Sequence, residues 1–68
     1  MKNLKWINKM SKETGYVGTI SKKNGYFTSV SNKEEARKFR SDKDVANALK
    51  TLEEFGELYY NDFETEEI

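Results

Sequence analysis

Short stretches that mix aromatic or β-branched residues with polar ones fill the first half of the chain, and a helical spacing takes over in the second. Leu4–Met10 carries Leu4, Trp6, Ile7 and Met10 between Lys5, Asn8 and Lys9, and predicts a first strand. Ser11-Lys12-Glu13-Thr14-Gly15 is a turn cluster. Tyr16–Ser21 predicts a second strand and Tyr26–Val30 a third, joined by Lys22-Lys23-Asn24-Gly25. Short turns between three such strands predict an antiparallel meander. The hairpin loop decides which side chains share a face, because strand side chains alternate. A three-residue loop, Lys23-Asn24-Gly25, with Gly25 left-handed, groups Tyr16, Ile20, Tyr26 and Val30 on one face and Val17 with Phe27 on the other. A two-residue Asn24-Gly25 loop instead sets Ile20 beside Phe27. The three-residue loop sorts the apolar residues better and is the expectation.

After Val30 the pattern turns helical. Ser31 followed by Glu34 has the form of a capping box, and Ala36 and Phe39 sit at helical spacing behind it. A second helix starts at Ser41, with Asp42 and Asp44 at its positive end. Val45, Ala48, Leu49 and Leu52 fall on one face of that helix, Phe55 extends it, and Gly56 is a natural stop. Leu58–Ile68 carries Tyr59, Tyr60, Phe63 and Ile68 and predicts a last strand. The expected fold is therefore a single two-layer α+β domain over residues 1–68. Its order is β-β-β-α-α-β, with two helices packed on one face of the sheet and a C-terminal fourth strand.

Composition narrows the chemistry. The 68 residues are 35% apolar and 35% charged and include no Cys, His or Pro. A disulfide scaffold, a Cys- or His-based zinc site, a Ser-His-Asp triad and a Cys-His pair are excluded. No apolar run approaches a membrane span or a signal-peptide core, and the absence of Cys fits a reducing, cytoplasmic setting. A core this small supplies only about 3–5 kcal/mol. Asp62, Glu64 and Glu66 alternate onto one strand face, but a small two-layer domain has no obvious cleft for acid–base work. The glycines do not form a phosphate loop, since no strand-to-helix step follows Gly15 and Gly18. A non-enzymatic protein with no cofactor and no metal is expected.

Charge is distributed unevenly. Residues 1–52 hold all twelve basic residues against five acidic ones, and residues 53–68 hold seven acidic residues and no basic one, so the two parts carry +7 and −7. Three readings follow. In the first, the last strand lies against a basic strand and neutralises it. In the second, the acidic, aromatic end is a protein-binding surface, with Tyr59, Tyr60, Asp62, Phe63, Glu64 and Glu66 as contacts. In the third, a basic aromatic sheet face binds nucleic acid through Lys5, Trp6, Lys9, Lys22, Lys23, Tyr26, Arg37 and Arg40, although the acidic end would repel that ligand. Trp6, Tyr16, Tyr26 and Tyr60 would then stand on the face away from the helices; self-association through that face, giving a structural homodimer, is a further reading.

Thr28-Ser29-Val30-Ser31-Asn32-Lys33-Glu34-Glu35-Ala36-Arg37-Lys38-Phe39, the helix that follows it, the Lys5-Trp6 strand and the pairs Gly15-Tyr16 and Gly25-Tyr26 form a recognisable pattern. It resembles small uncharacterised accessory proteins of phages and prophages of Gram-positive bacteria. The resemblance supplies no active site. It implies a protein that binds a host protein of replication, transcription or antiviral defence, and so agrees with the protein-binding reading. The sequence expectation is a non-catalytic interaction module that modulates or inhibits a host protein, with nucleic-acid binding or a structural homodimer as alternatives.

Overall fold

The structure, a computed structural model, describes residues 1–67. Strands β1 (Lys2–Asn8), β2 (Thr14–Ser21) and β3 (Tyr26–Val30) form the antiparallel meander. One helix, α1 (Asp42–Glu54), follows, then a 3-10 turn over Glu57–Tyr59 and the last strand, β4 (Asn61–Glu67). The sheet order is β3-β2-β1-β4. The first and last strands are thus neighbours, in register from Lys2↔Glu67 to Asn8↔Asn61. Ile68, the end of the predicted last strand, lies outside the described residues.

The expected pair of helices is corrected to one. Residues 31–40 form turns and a single bridge, not a helix. No helix starts at Ser31; Asn32 closes a turn instead, its Oδ1 accepting from Glu35 N at 3.0 Å. The chain then spends its backbone groups on the sheet. Arg37 N donates to Val17 O at 3.0 Å, and Lys2 and Phe39 exchange both bonds, at 2.8 and 2.9 Å. A helix of under three turns with two apolar residues is marginal in water, so extended pairing wins. Ala36 and Phe39 are still buried, but as the inward side chains of an irregular connection.

Helix α1 follows its sequence signals. Ser41 is extended at the N-cap, and its Oγ accepts from Asp44 N at 3.2 Å. Asp42 and Asp44 lie in the first turn, where the helix dipole favours them. Phe55 is the C-cap, and Gly56 follows at φ 81°, a left-handed conformation that suits glycine.

Strand ends move where side chains compete for backbone. The first strand begins and ends two residues earlier than expected. Asn8 Oδ1 accepts from Met10 N at 3.0 Å and Ser11 N at 2.9 Å, closing a turn there. Met10 is consequently a turn residue. The last strand starts later than Leu58 because the 3-10 turn intervenes, with Tyr60 N donating to Glu57 O at 3.1 Å.

The hairpin expectation is also corrected. Ser21 pairs with Tyr26 and Ile20 with Phe27, so four residues make the loop, although Gly25 is left-handed as expected, at φ 74°. Farther along, Val17 pairs with Ser29 and Tyr16 with Val30, which requires one extra residue in β2 between Val17 and Ile20. That bulge moves Ile20 to the face of Val17 and Phe27 and leaves Tyr16, Tyr26 and Val30 on the other.

The helix covers the face that carries Leu4, Val17, Phe27 and Phe63. Leu4, Val17, Phe39, Val45, Ala48 and Leu52 form the core, with Ile20, Phe27, Leu49, Phe55, Leu58 and Phe63 packed against it. Phe27 and Phe63, from the two edge strands, meet edge to face at 5.9 Å, so the sheet is strongly curled. Trp6 shares this face with Gly15, its register partner, and its Nε1 donates to Ser29 Oγ at 2.6 Å.

Candidate functional site

The end of the molecule at the β1–β2 turn exposes several large side chains with apolar surface. Past Asn8, β1 continues its pairing for one step: Lys9 N donates to Tyr60 O at 2.8 Å. The Lys9 ammonium donates to Leu58 O, also at 2.8 Å. These two bonds clamp the β1–β2 turn to the 3-10 turn and bring Met10 to the same end as Tyr59 and Tyr60. Met10 is 92% exposed, Tyr59 84% and Tyr60 65%. Tyr and Met are the residue types that supply adaptable apolar contact at interfaces.

A groove of about 500 Å³ adjoins these residues, between α1 and β4. Leu49 and Ala46 line it from the helix, Leu58 from the 3-10 turn and Phe63 from β4. Lys50, Glu53 and Asp62 line its polar rim. It exists because Phe63 and Leu49 are only half-buried, leaving an apolar floor that α1 does not close.

The expected contact residues divide across the fold. Tyr59, Tyr60, Asp62 and Phe63 come together at this groove and its exposed end. Along β4, Asp62, Glu64 and Glu66 alternate to the sheet face opposite Phe63; Asp62 still borders the groove, Glu64 is exposed and Glu66 is engaged. Lys33 Nζ lies 2.8 Å and Lys5 Nζ 3.7 Å from the Glu66 carboxylate, and the Tyr16 hydroxyl donates to it at 3.1 Å. The Lys33 hydrogen bond, then the Tyr16 one, hold the Glu66 carboxyl below its ordinary range. Lys33 is raised in turn, chiefly by its bond to Glu66. Lys2 lies 4.0 Å from Glu67 and Lys9 lies 3.9 Å from Asp62. Among the described residues, then, four of the five ion pairs tie a lysine to a β4 carboxylate, so Asp62, Glu66 and Glu67 are partly neutralised by lysines of the basic part of the chain.

The residues of the nucleic-acid alternative do not share one sheet face, although Lys22 and Arg37 line one cleft beside α1. Lys5 and Lys9 are ion-paired, while Lys22, Lys23, Arg37 and Arg40 are exposed. Trp6 lies on the helix-covered face and Tyr16 and Tyr26 on the other, so the aromatics do not form one stacking row. Among the described residues no group of three or more acidic side chains converges as a metal site.

Met10, Ala46 and Leu49 belong to the site and went unnoticed in the sequence. Asn8 carried the usable signal for Met10: an Asn that ends a strand as an Asx turn puts the next apolar residue outside the sheet. Leu49 reads as core because its helical spacing matches that of Leu52; only tertiary packing shows which of the two is covered. No helix of the described residues is long and apolar enough to cross a membrane. No protein-family model, curated protein or solved structure matches this chain, so the reading of the site rests on its own residues.

Proposed function

We propose that the chain is a non-catalytic protein-interaction module that seats a partner on the α1–β4 groove, with Tyr59, Tyr60 and Met10 as anchors. The observation that carries this reading is the exposure of those three side chains beside an open groove with an apolar floor. Burying rigid Tyr rings against a partner costs little side-chain entropy, and Tyr is enriched among the few residues that dominate binding energy. Glu53 and Asp62 share the groove lining with Lys9 and Lys50, so the rim offers both signs of charge to a polar partner surface. Following the resemblance to phage accessory proteins, the partner class is a host protein whose activity the bound chain modulates.

Site-specific photo-crosslinking tests the reading. A benzophenone side chain is placed at Tyr60 and, as a control, at Lys23 in the distant β2–β3 turn, and each chain is exposed to host lysate. Position 60 is expected to give a discrete adduct that Tyr59→Ala removes, and position 23 none. Identical adducts at both positions, or an adduct indifferent to Tyr59→Ala, would refute the groove as the binding surface.

A further inference from the structure

A second cleft, also about 500 Å³, opens on the other side of α1, between the helix and the end of β2. Ile20, Phe39 and Ala48 contribute its apolar lining, and Lys22, Arg37 and Lys38 bring three exposed cations to it. Lys2, Lys5, Lys9 and Lys33 each have a carboxylate within 4.0 Å, whereas among the described residues none of these three cations does. The internal ion pairing along β4 therefore stops short of this cleft. The Arg37 guanidinium instead lies over the ring of Phe39, 5.2 Å from its centroid, which keeps a cation beside the apolar floor.

We infer that this cleft is a second binding site, and that it takes an acidic peptide segment carrying an apolar side chain. The carboxylates of such a segment meet Lys22, Arg37 and Lys38, and its apolar side chain reaches Ile20 and Ala48. Asp44 and Asn47 also line the cleft, from the helix. A peptide backbone offers N–H donors to that carboxylate and amide, whereas a phosphodiester backbone offers only acceptors. No exposed aromatic ring lines the cleft for a base to stack on, since Phe39 is buried. Hydrogen-bonding capacity and lining thus favour peptide over nucleic acid. The site is separate from the α1–β4 groove and does not depend on the function proposed for it.

The experiment is a fluorescence-anisotropy titration of the full chain with a labelled Glu-Glu-Leu-Glu-Glu peptide. A Glu-Glu-Gly-Glu-Glu peptide and an oligothymidine serve as comparison probes. Saturable binding of the leucine peptide is expected, weaker for the glycine peptide, and weakened by at least about tenfold in the Lys22→Glu/Lys38→Glu variant, as for loss of close charge pairs at an interface. Both substituted side chains are exposed, so circular dichroism of the variant should match the parent. Tyr59→Ala/Tyr60→Ala should leave the affinity unchanged. Absence of saturable binding, equal affinity in the charge-reversed variant, or tighter binding of oligothymidine would each overturn the proposal. So would concentration-dependent sedimentation abolished by the same variant, since that assigns the cleft to a second copy of the chain.

Discussion

Lys33 and Glu66 meet at 2.8 Å across the sheet face opposite the helix. Lys33 follows β3 at one edge and Glu66 belongs to β4 at the other, so the pair spans the two strands between them. The 31–40 connection is thereby held against the sheet at one point by charge. It is held at others by backbone pairing with Val17 and Lys2, and by the Asn3 side chain, whose Nδ2 donates to Arg37 O at 3.1 Å.

This pairing sets a pH dependence. Glu66 and Asp42 titrate below their ordinary values of 4.5 and 3.8, each chiefly because a lysine hydrogen-bonds its carboxylate. The stability they contribute is complete above those values and is lost as pH falls through the lower folded values. Lys33 and Lys2 are raised above 10.5 by the same bonds, so their contribution is complete below that value and is lost as pH rises through the raised values. Thermal midpoints measured against pH should show Glu66→Gln below the parent at neutrality, the gap closing as pH falls through the carboxylate range. Parallel curves would show that the pair does not stabilise the fold.

Two serines separate the helix that forms from the one that does not. Ser41→Ala removes the N-cap acceptor of α1 and should cost about 0.5–2 kcal/mol in urea denaturation. Ser31→Ala should change stability by less than about 0.5 kcal/mol, because residues 31–40 form no helix for Ser31 to cap. A large effect at Ser31 would restore the capping box.

The contrast shows how much of the fold was legible. Ser41, Gly56 and the run Val45–Leu52 agree on one helix at every level, and that helix forms. Ser31 and Glu34 have the right spacing, but a neighbouring Asn competes locally and Phe39 has a better backbone partner in Lys2, which is far away in the sequence and invisible to a local signal. The hairpin was legible in its turn residues and not in its register, since the bulge after Val17 answers to packing of Ile20 on the core. At the site, Tyr59, Tyr60 and Asp62 were legible as an acidic aromatic cluster. The cancellation of Glu66 by Lys33 and Lys5 was not, because those lysines come from two distant segments.

Leu52 and Leu49 sit three residues apart on α1 with different fates. Leu52 is fully buried, and Leu52→Ala should cost about 2–5 kcal/mol, enough to unfold much of a domain this small. Leu49 lines the open groove, and Leu49→Ala should cost clearly less while weakening partner binding. Urea midpoints for the two variants check the order.

Gly15 is required by the indole above it. A Cβ there would lie 2.7 Å from Trp6 Nε1 and 2.8 Å from Ser29 Oγ. Gly15→Ala should displace the ring, break the Trp6–Ser29 bond and cost about 1–3 kcal/mol. Tryptophan emission should shift to longer wavelength as the ring enters water; an unchanged spectrum would mean that the strand, not the indole, yields.

The neighbouring of β1 and β4 has a temporal consequence. β1 is made well before β4, and until β4 is synthesised and free to pair, β1 presents a bare edge that carries Leu4, Trp6 and Ile7. The nascent chain can zip the β1–β3 meander early, but its sheet closes only after synthesis has passed β4, a late, long-range step of the kind that slows folding and invites chaperone capture.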